Sequence, residues 1–537
     1  MPSTPTTKSQ VQAYKFVLRR MQSALVRRDA VMLHDPMRSH GRATAVGVIL
    51  GVLGAVVFVL WGLLSPAPAV PQSDNIVIGE QSGTVYVVTG NPSRLIPTFN
   101  LASARLILMA QKQQSSQGQP GGGQGGQPQQ AADVKNPTVV SDEQLKNMPR
   151  EKLTGIPDGP QLLPSADQRI TPNWAVCDEV VLDPSLPQPD SVNKTNTDVI
   201  AGIDKLGGEL QANQALLGDA GNGKTYLIYR SNANTVRAEV PSGSNDPVRS
   251  ALHLPTKSRK VSQALLNAIP EVAKLIPPPV ADEGSTPSSS FDGLTVGNVF
   301  STQPTGGAQE FWLIAKNGIQ KVSPAVADIV RTAKSGGTAT TPALGLDKIN
   351  NVKVLQQGDP GYVPVDTYPQ VVPAVLDAVQ DPVACLGWTL NADHSQAHTS
   401  VYINKQLPVE KNADGTSKII SVSNTGPNGV PITGFYMPTG YGAVVQSATE
   451  TSATFNKGPI QLISDRGIRY GVPDAATADE LGLNNRLPAP ESIIGLLPTG
   501  ASLNVQNVMK QFDSVPIDPN AGSYKQQAAG QQQPAGN

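Results

Sequence analysis

Gly218, Gly223, Lys224 and Thr225, in "GDAGNGKT", have the G-x-x-x-x-G-K-[ST] spacing of a phosphate-binding loop. In that chemistry backbone N–H groups cradle phosphates, the lysine reaches the β/γ-phosphates and the hydroxyl holds Mg²⁺. The loop must leave a buried strand and open directly into a helix, whose N-terminal dipole helps to hold the anion. Here "TYLIYR" follows, and its aromatic and β-branched residues favour a strand. Upstream, "DKLGGELQANQALLG" lacks a buried β-rich run, and no downstream hydrophobic strand ends in a Mg²⁺-binding aspartate. The four residues are therefore expected in a hairpin or loop that leads into a strand, with nucleotide binding as the alternative.

Other chemistry-bearing residues are sparse. His394 and His398 in "DHSQAHT" have the i, i+4 spacing that holds zinc on a helix, but the H-E-x-x-H glutamate is absent and the segment reads as a polar loop. No G-x-S-x-G occurs, and the five histidines are too scattered to serve a nucleophile. Neither a catalytic set nor a metal site is nominated. The two cysteines are Cys177 in "NWAVCDEV" and Cys385 in "ACLGWTL", and no C-x-x-C spacing supports metal or redox work.

The elements that must position these residues start with a charge asymmetry. Residues 1–42 carry eight Lys/Arg against Asp29 and Asp35, a net +6, while the remainder of the 537-residue chain carries −7. Between them "ATAVGVILGVLGAVVFVLWGLL", residues 43–64, has no charge. Twenty-two helical residues at about 1.5 Å each span about 33 Å, enough to cross a hydrocarbon core of about 30 Å once. Because the basic flank is wholly N-terminal, the positive-inside rule puts the arm in the cytoplasm and the body outside. A cleaved signal peptide, with an A-x-A at Ala67 and Ala69, fits less well because leader and apolar core are both too long. Outside the membrane the cysteines meet an oxidising compartment, where a bridge is expected. It would close a loop of 208 residues, for which chain entropy allows about 5 kcal/mol. Two separate buried thiols are the alternative.

Within the arm, Val11, Tyr14, Leu18, Met21 and Leu25 recur at helical spacing, while Arg19, Arg20 and most other arginines fall on other faces. Such a basic amphipathic helix suits anionic lipid or a partner protein. The arm has no nucleic-acid module and the body is acidic, so nucleic acid is not an expected partner. Residues 65–110 read as a stalk and a first repeat, 111–133 as a flexible Gln/Gly-rich insertion, 134–515 as repeats and a central domain, and 516–537 as a disordered tail. "FWLIAKNGIQKVSPAVADIV" and "IQLISDRGIRYGVPDAATADEL" align without a gap, each reading strand, turn, strand, helix. Gly318 and Gly467 fall at the turns, where positive φ is expected. "VYVVTGNPSRLIPTFNLASARLI" and "TYLIYRSNANTVRAEV" are looser copies.

With these pieces in place the chain resembles the EccB family of type VII (ESX) secretion systems of mycobacteria. The most specific segments are "KSQVQAYKFVLRRMQSALVRRDAVMLHDPMR", "FNLASARLI", "LTGIPDGPQLLP" ahead of "WAVCDEV", and "RGIRYGVPDAATADELGL" with "PAPESIIGLLPTGASL". The insertion at 111–133 and the spelling at 218–225 depart from the family pattern. The resemblance implies an α+β protein: an N-terminal amphipathic helix and a single transmembrane helix, then an elongated periplasmic ectodomain of small strand-turn-strand-helix repeats around a mainly β central domain. It implies a bridge between Cys177 and Cys385, dimerising ectodomains, no cofactor, and a scaffold role in an inner-membrane complex with EccC, EccD, EccE and the mycosin protease. Family members are sometimes labelled ATPases, so ATP use through Lys224 and Thr225 is the alternative that the name carries.

Overall fold

The computed structural model describes residues 7–28, 36–64, 71–117, 134, 136–337, 339–449 and 452–515. The expected tail at 516–537, the stalk residues 65–70 and insertion residues 118–133 lie outside the described residues. The chain divides into two compact units, Met1–Pro71 and Gln72–Asn537.

The first unit is two helices. Lys8–Arg27 begins where the Thr7 N–H donates to Gln10 Oε1 at 2.9 Å, satisfying a donor the helix leaves free, and stops at Arg28, whose φ is 52°. Val11, Tyr14, Leu18, Met21 and Leu25 are all exposed, so this apolar stripe has no partner among the described residues of the unit. The second helix, Pro36–Leu64, starts earlier than the boundary at 43 read from charge alone, because proline pre-sets the φ of a first helical turn. Within it Gly41–Gly62 is long and apolar enough to cross a membrane.

In the second unit the strand-turn-strand-helix motif proves to be the middle of a larger repeat. Each copy begins with one strand more than expected, making an antiparallel three-stranded meander followed by a helix. The first comprises Asn75–Gly79, Val85–Thr89, Arg94–Thr98 and the helix Leu101–Gln117. The second is Gln214–Asp219, Thr225–Ser231, Asn234–Val240 and Pro247–Ala251. The third is Val299–Thr302, Glu310–Ala315, Gly318–Val322 and Pro324–Ser335. The fourth is Gly442–Ala448, Ile460–Ser464, Arg469–Val472 and Ala475–Glu480.

After its helix each copy returns to the sheet. A short segment pairs parallel to the first strand: Thr138–Val140, Arg259–Lys260, Ala343 and Leu487–Pro490 in the four copies. A helical turn follows, and then a second parallel contact with the third strand, at Thr154, Glu271, Val354 and Thr499. Parallel pairing requires a crossover, which the helix supplies. The returning segments also cover both edges of each meander, which would otherwise present unpaired N–H and C=O groups.

Two expectations change in detail, at Gly318 and at the insertion, while Gly467 has the expected positive φ. Gly467 has φ 77° and sits against the Phe435 ring, where a Cβ would meet ring carbon at 2.7 Å. Gly318, however, is not the left-handed turn residue: it opens a strand, and a Cβ there would meet the Lys353 carbonyl oxygen at 2.3 Å. Its small size serves the parallel contact of Ile319 with Val354. Residues 111–117 of the expected flexible insertion are helical, because the helix Leu101–Gln117 runs on into the glutamines.

The repeats pack in a nested order. The helices of the first and fourth copies share one core, with Leu106, Ala102, Leu481 and Leu483 buried together. The helices of the second and third share another, in which Val248, Leu252, Val326 and Ile329 meet. The final strand, Gln511–Phe512, pairs back onto Leu153–Thr154 of the first copy. Between repeat pairs lies a seven-stranded sheet, ordered Ile420–Ser421, Gly434–Tyr436, Thr195–Ala201, Trp174–Val180, Val383–Leu390, Ala397–Asn404 and Gly208–Glu209. One face of it, carrying Trp174, Val176, Leu386 and Trp388, is buried against Leu216 and Ile228 of the second copy and Val445 and Ile463 of the fourth.

The helix Pro324–Ser335 tests this packing most simply. Ser323 Oγ accepts from the Val326 N–H at 3.2 Å, Gly336 closes the C-terminus with φ 61°, and Ile329 is fully buried. Ile329→Ala is expected to lower stability by about 2–5 kcal/mol through lost burial and a residual cavity. The shift in urea midpoint of the full chain in detergent checks it.

Candidate functional site

The phosphate-loop spelling falls on a β-hairpin. Gly218 lies inside the strand Gln214–Asp219, paired with Tyr226, and a Cβ there would meet Val261 Cγ2 at 2.5 Å. Gly221 and Gly223 take φ values of 74° and 80° and turn the chain, and Thr225 begins the next strand. The turn's donors are already engaged: the Gly221 N–H donates to Asp219 Oδ1 at 2.8 Å, the Lys224 N–H to Asn222 Oδ1 at 3.1 Å, and the Ala220 N–H to the Lys224 carbonyl at 3.2 Å. Asp219, Asn222 and the Lys224 carbonyl thus occupy three of the amides that a phosphate would need.

Lys224 is likewise committed. Its Nζ lies 3.0 Å from Glu239 Oε2, and Lys274 Nζ lies 2.8 Å from the other oxygen of the same carboxylate. The hydrogen bond to Glu239 raises the pKa of the lysine, and the two ammonium groups hold Glu239 below the usual carboxylate range. Gly218 and Thr225 lie on neighbouring strands of one sheet, and Gly223 and Lys224 are in the turn between them. The chain runs from Lys224 into a strand at Thr225, not into a helix.

The histidines also lie on a hairpin. His394 is at its tip with φ 55°, and His398 is in the strand Ala397–Asn404 with Nε2 3.5 Å from Glu209 Oε1. A strand does not place i and i+4 together as a helix does. Among the described residues no group of three or more His, Cys, Asp or Glu is assembled to hold a metal.

Cys177 and Cys385 sit directly opposite each other on antiparallel neighbours of the central sheet and are disulfide-bonded, both fully buried. Around them lies a group that sequence reasoning missed. Asp178 is 1% exposed, faces away from the disulfide, and accepts from the Ser262 N–H at 2.6 Å and the Thr197 hydroxyl at 2.8 Å. Burial nevertheless raises its pKa. Arg259, also buried, donates to the carbonyls of Asp381 and Pro382 at 3.2 and 2.8 Å. Asp198 is the cross-strand neighbour of Cys177 and shares its face, and burial raises Glu179 in the same strand as Cys177. The available signal was "CDEV", two acids inside an otherwise apolar strand.

With the fold and these sites described, the comparisons decide the family. A model of the type VII secretion system ESX-1, transport TM domain B, matches residues 3–517. The chain belongs to the EccB family. Relatives of this EccB chain include the ESX-1 secretion system ATPase EccB1 of Mycolicibacterium smegmatis, 26% identical over 524 residues, 96% of this chain and 97% of the relative. The ESX-5 secretion system ATPase EccB5 of Mycobacterium marinum is 28% identical over 530 residues, 96% of this chain and 95% of that one. Among solved structures, a chain of an intact ESX-5 inner membrane complex is similar with a TM-score of 0.65 and 25% identity, over 98% of this chain and 99% of that one. A chain of the periplasmic assembly from the ESX-5 complex gives a TM-score of 0.63 at 26% identity, over 85% and 100%. The EccB3 dimer from an ESX-3 core complex shares the fold, with a TM-score of 0.63 over 81% and 100%.

Replacing both half-cystines, Cys177→Ala with Cys385→Ala, is expected to destabilise the EccB chain by up to about 5 kcal/mol, the chain-entropy limit for so long a loop. Urea midpoints of the variant and the oxidised parent check this. An unchanged midpoint would mean that the central sheet holds its two halves together unaided.

Proposed function

We propose that the chain is a structural, membrane-anchored subunit of a type VII secretion inner-membrane complex that supports export of proteins across the cell envelope. The observation that carries this is the likeness, over 98% of the chain, to a subunit of an ESX-5 inner membrane complex. In this reading the basic arm is cytoplasmic, the helix through Gly41–Gly62 crosses the inner membrane once, and the body from Gln72 is periplasmic. The unpartnered stripe of Val11, Tyr14, Leu18, Met21 and Leu25, with Arg19 and Arg20 beside it, docks on cytoplasmic parts of the complex. EccC, EccD, EccE and the mycosin protease are the proposed partners, other EccB copies associate through the periplasmic body, and EccC supplies the nucleotide chemistry.

The word ATPase in the names of the relatives, together with the spelling at Gly218, Gly223, Lys224 and Thr225, favours a second reading in which this chain itself hydrolyses ATP. The hairpin geometry and the engaged amides weigh against it.

A scaffold is required for assembly, so the size of the complex tests it. Native electrophoresis of membranes from a strain lacking this chain is expected to show the large inner-membrane species collapsed into smaller ones, and the full chain supplied in trans should restore it. A complex of unchanged size that contains all the other components would remove the scaffold role.

A further inference from the structure

The disulfide-bearing face of the central sheet is not covered by a repeat. Residues 405–421, between the strands Ala397–Asn404 and Gly434–Tyr436, fold over it, with Leu407 buried and Val409 and Ile419 half-buried against Cys177, Cys385, Ile200 and Tyr436. Under this segment lies Asp198, 3% exposed. Gly434 pairs with Asp198, and a Cβ on Gly434 would meet Ile419 Cγ2 at 2.3 Å and Asp198 Oδ1 at 2.8 Å, so the isoleucine methyl and the carboxyl lie against the same point. Among the described residues no donor reaches the Asp198 carboxyl and no Lys or Arg pairs with it. A buried carboxylate without donor or cation is costly, and a proton is the neutralising partner that needs no further side chain.

We propose that residues 405–421 form a proton-linked flap, held down on the central sheet by protonated Asp198 and released from Gly434 as that carboxyl ionises. Its attachment suits such a movement. Apart from the short pairing of Ile420–Ser421 with Gly434–Phe435 and a hydrogen bond between the Glu410 backbone and the Tyr436 phenol, the flap is held mainly by its three apolar side chains. Opening lets water reach the carboxyl.

The charged surroundings act in the same direction. Burial first, then the Glu179 and Asp178 carboxylates, push Asp198 up to about 7. From the flap, Glu410 and Lys418 pair with each other at 2.8 Å on the solvent side, and Lys411 bonds to Gln406. The strand Gly434–Tyr436 contributes the Tyr436 phenol, the strand Ala397–Asn404 contributes Tyr402 beside Glu209, and Cys385 is bridged. None of these supplies a cation to Asp198. In the open flap the carboxyl returns to an ordinary value near 4. The closed form therefore binds the proton more tightly, and it loses stability relative to the open form as pH rises from about 4 to about 7, levelling above that.

Hydrogen exchange of the full chain in detergent, read by mass spectrometry and corrected for intrinsic exchange rates, tests this. Protection of residues 405–421 is expected to fall by up to about a hundredfold between about pH 5 and about pH 7, the limit for release of one proton, while the strands of the repeats change little. Asp198→Asn, which cannot ionise, is expected to remove the slope. Flat protection of 405–421 in the unaltered chain would overturn the flap without recourse to a variant. An equal slope in Asp198→Asn would overturn the role of this carboxyl.

Discussion

The antiparallel pairing of Trp174–Val180 with Val383–Leu390 is the contact on which the rest of the second unit depends. It joins segments separated by 208 residues, a costly loop closure. The Cys177–Cys385 bridge offsets part of that cost by limiting the unfolded chain. Once the pairing forms, the connection between the first and second repeats and the connection between the third and fourth become one sheet. The nested order of the repeats follows, with the first copy against the fourth and the second against the third. One face of the sheet then has to bury Trp174 and Trp388 against two repeats, while the other is left to a short covering segment.

Much of the repeat was legible because its longer elements carry their own signals. "EFWLIA" and "GIQKV" are β-rich strands around a two-residue turn, and "SPAVADIV" has a capping serine, a first-turn proline and apolar residues at helical spacing. The returning strands were not legible. Arg259–Lys260 and Ala343 have no periodicity of their own and are strand-paired only because a neighbouring meander offers an edge. Gly318 was expected at a left-handed turn, but it opens a strand, where its small size admits the Lys353 carbonyl.

The spelling around Lys224 shows how little four positions specify. A phosphate loop depends on free amides at a helix N-terminus, and no residue pattern guarantees that backbone. Here Gly223 sits in a two-strand turn while Gly218 lies within a strand, and Asp219 and Asn222 each take up one amide of the turn. Asp198 shows the opposite limit. Nothing local marks it as special, because its burial arises from Gly434 and Ile419, more than two hundred residues further along the chain.

In the proposed reading this chain is a structural subunit, and bond-breaking chemistry falls to its partners. The most direct measurement of that division is export of the system's substrates from a deletion strain complemented with Lys224→Ala, with the integrity of the membrane complex followed in parallel. Normal export with an intact complex is the expected result, because Glu239 keeps Lys274 and the hairpin needs no lysine. Lost export with the complex intact would contradict the division and make the lysine a chemical participant.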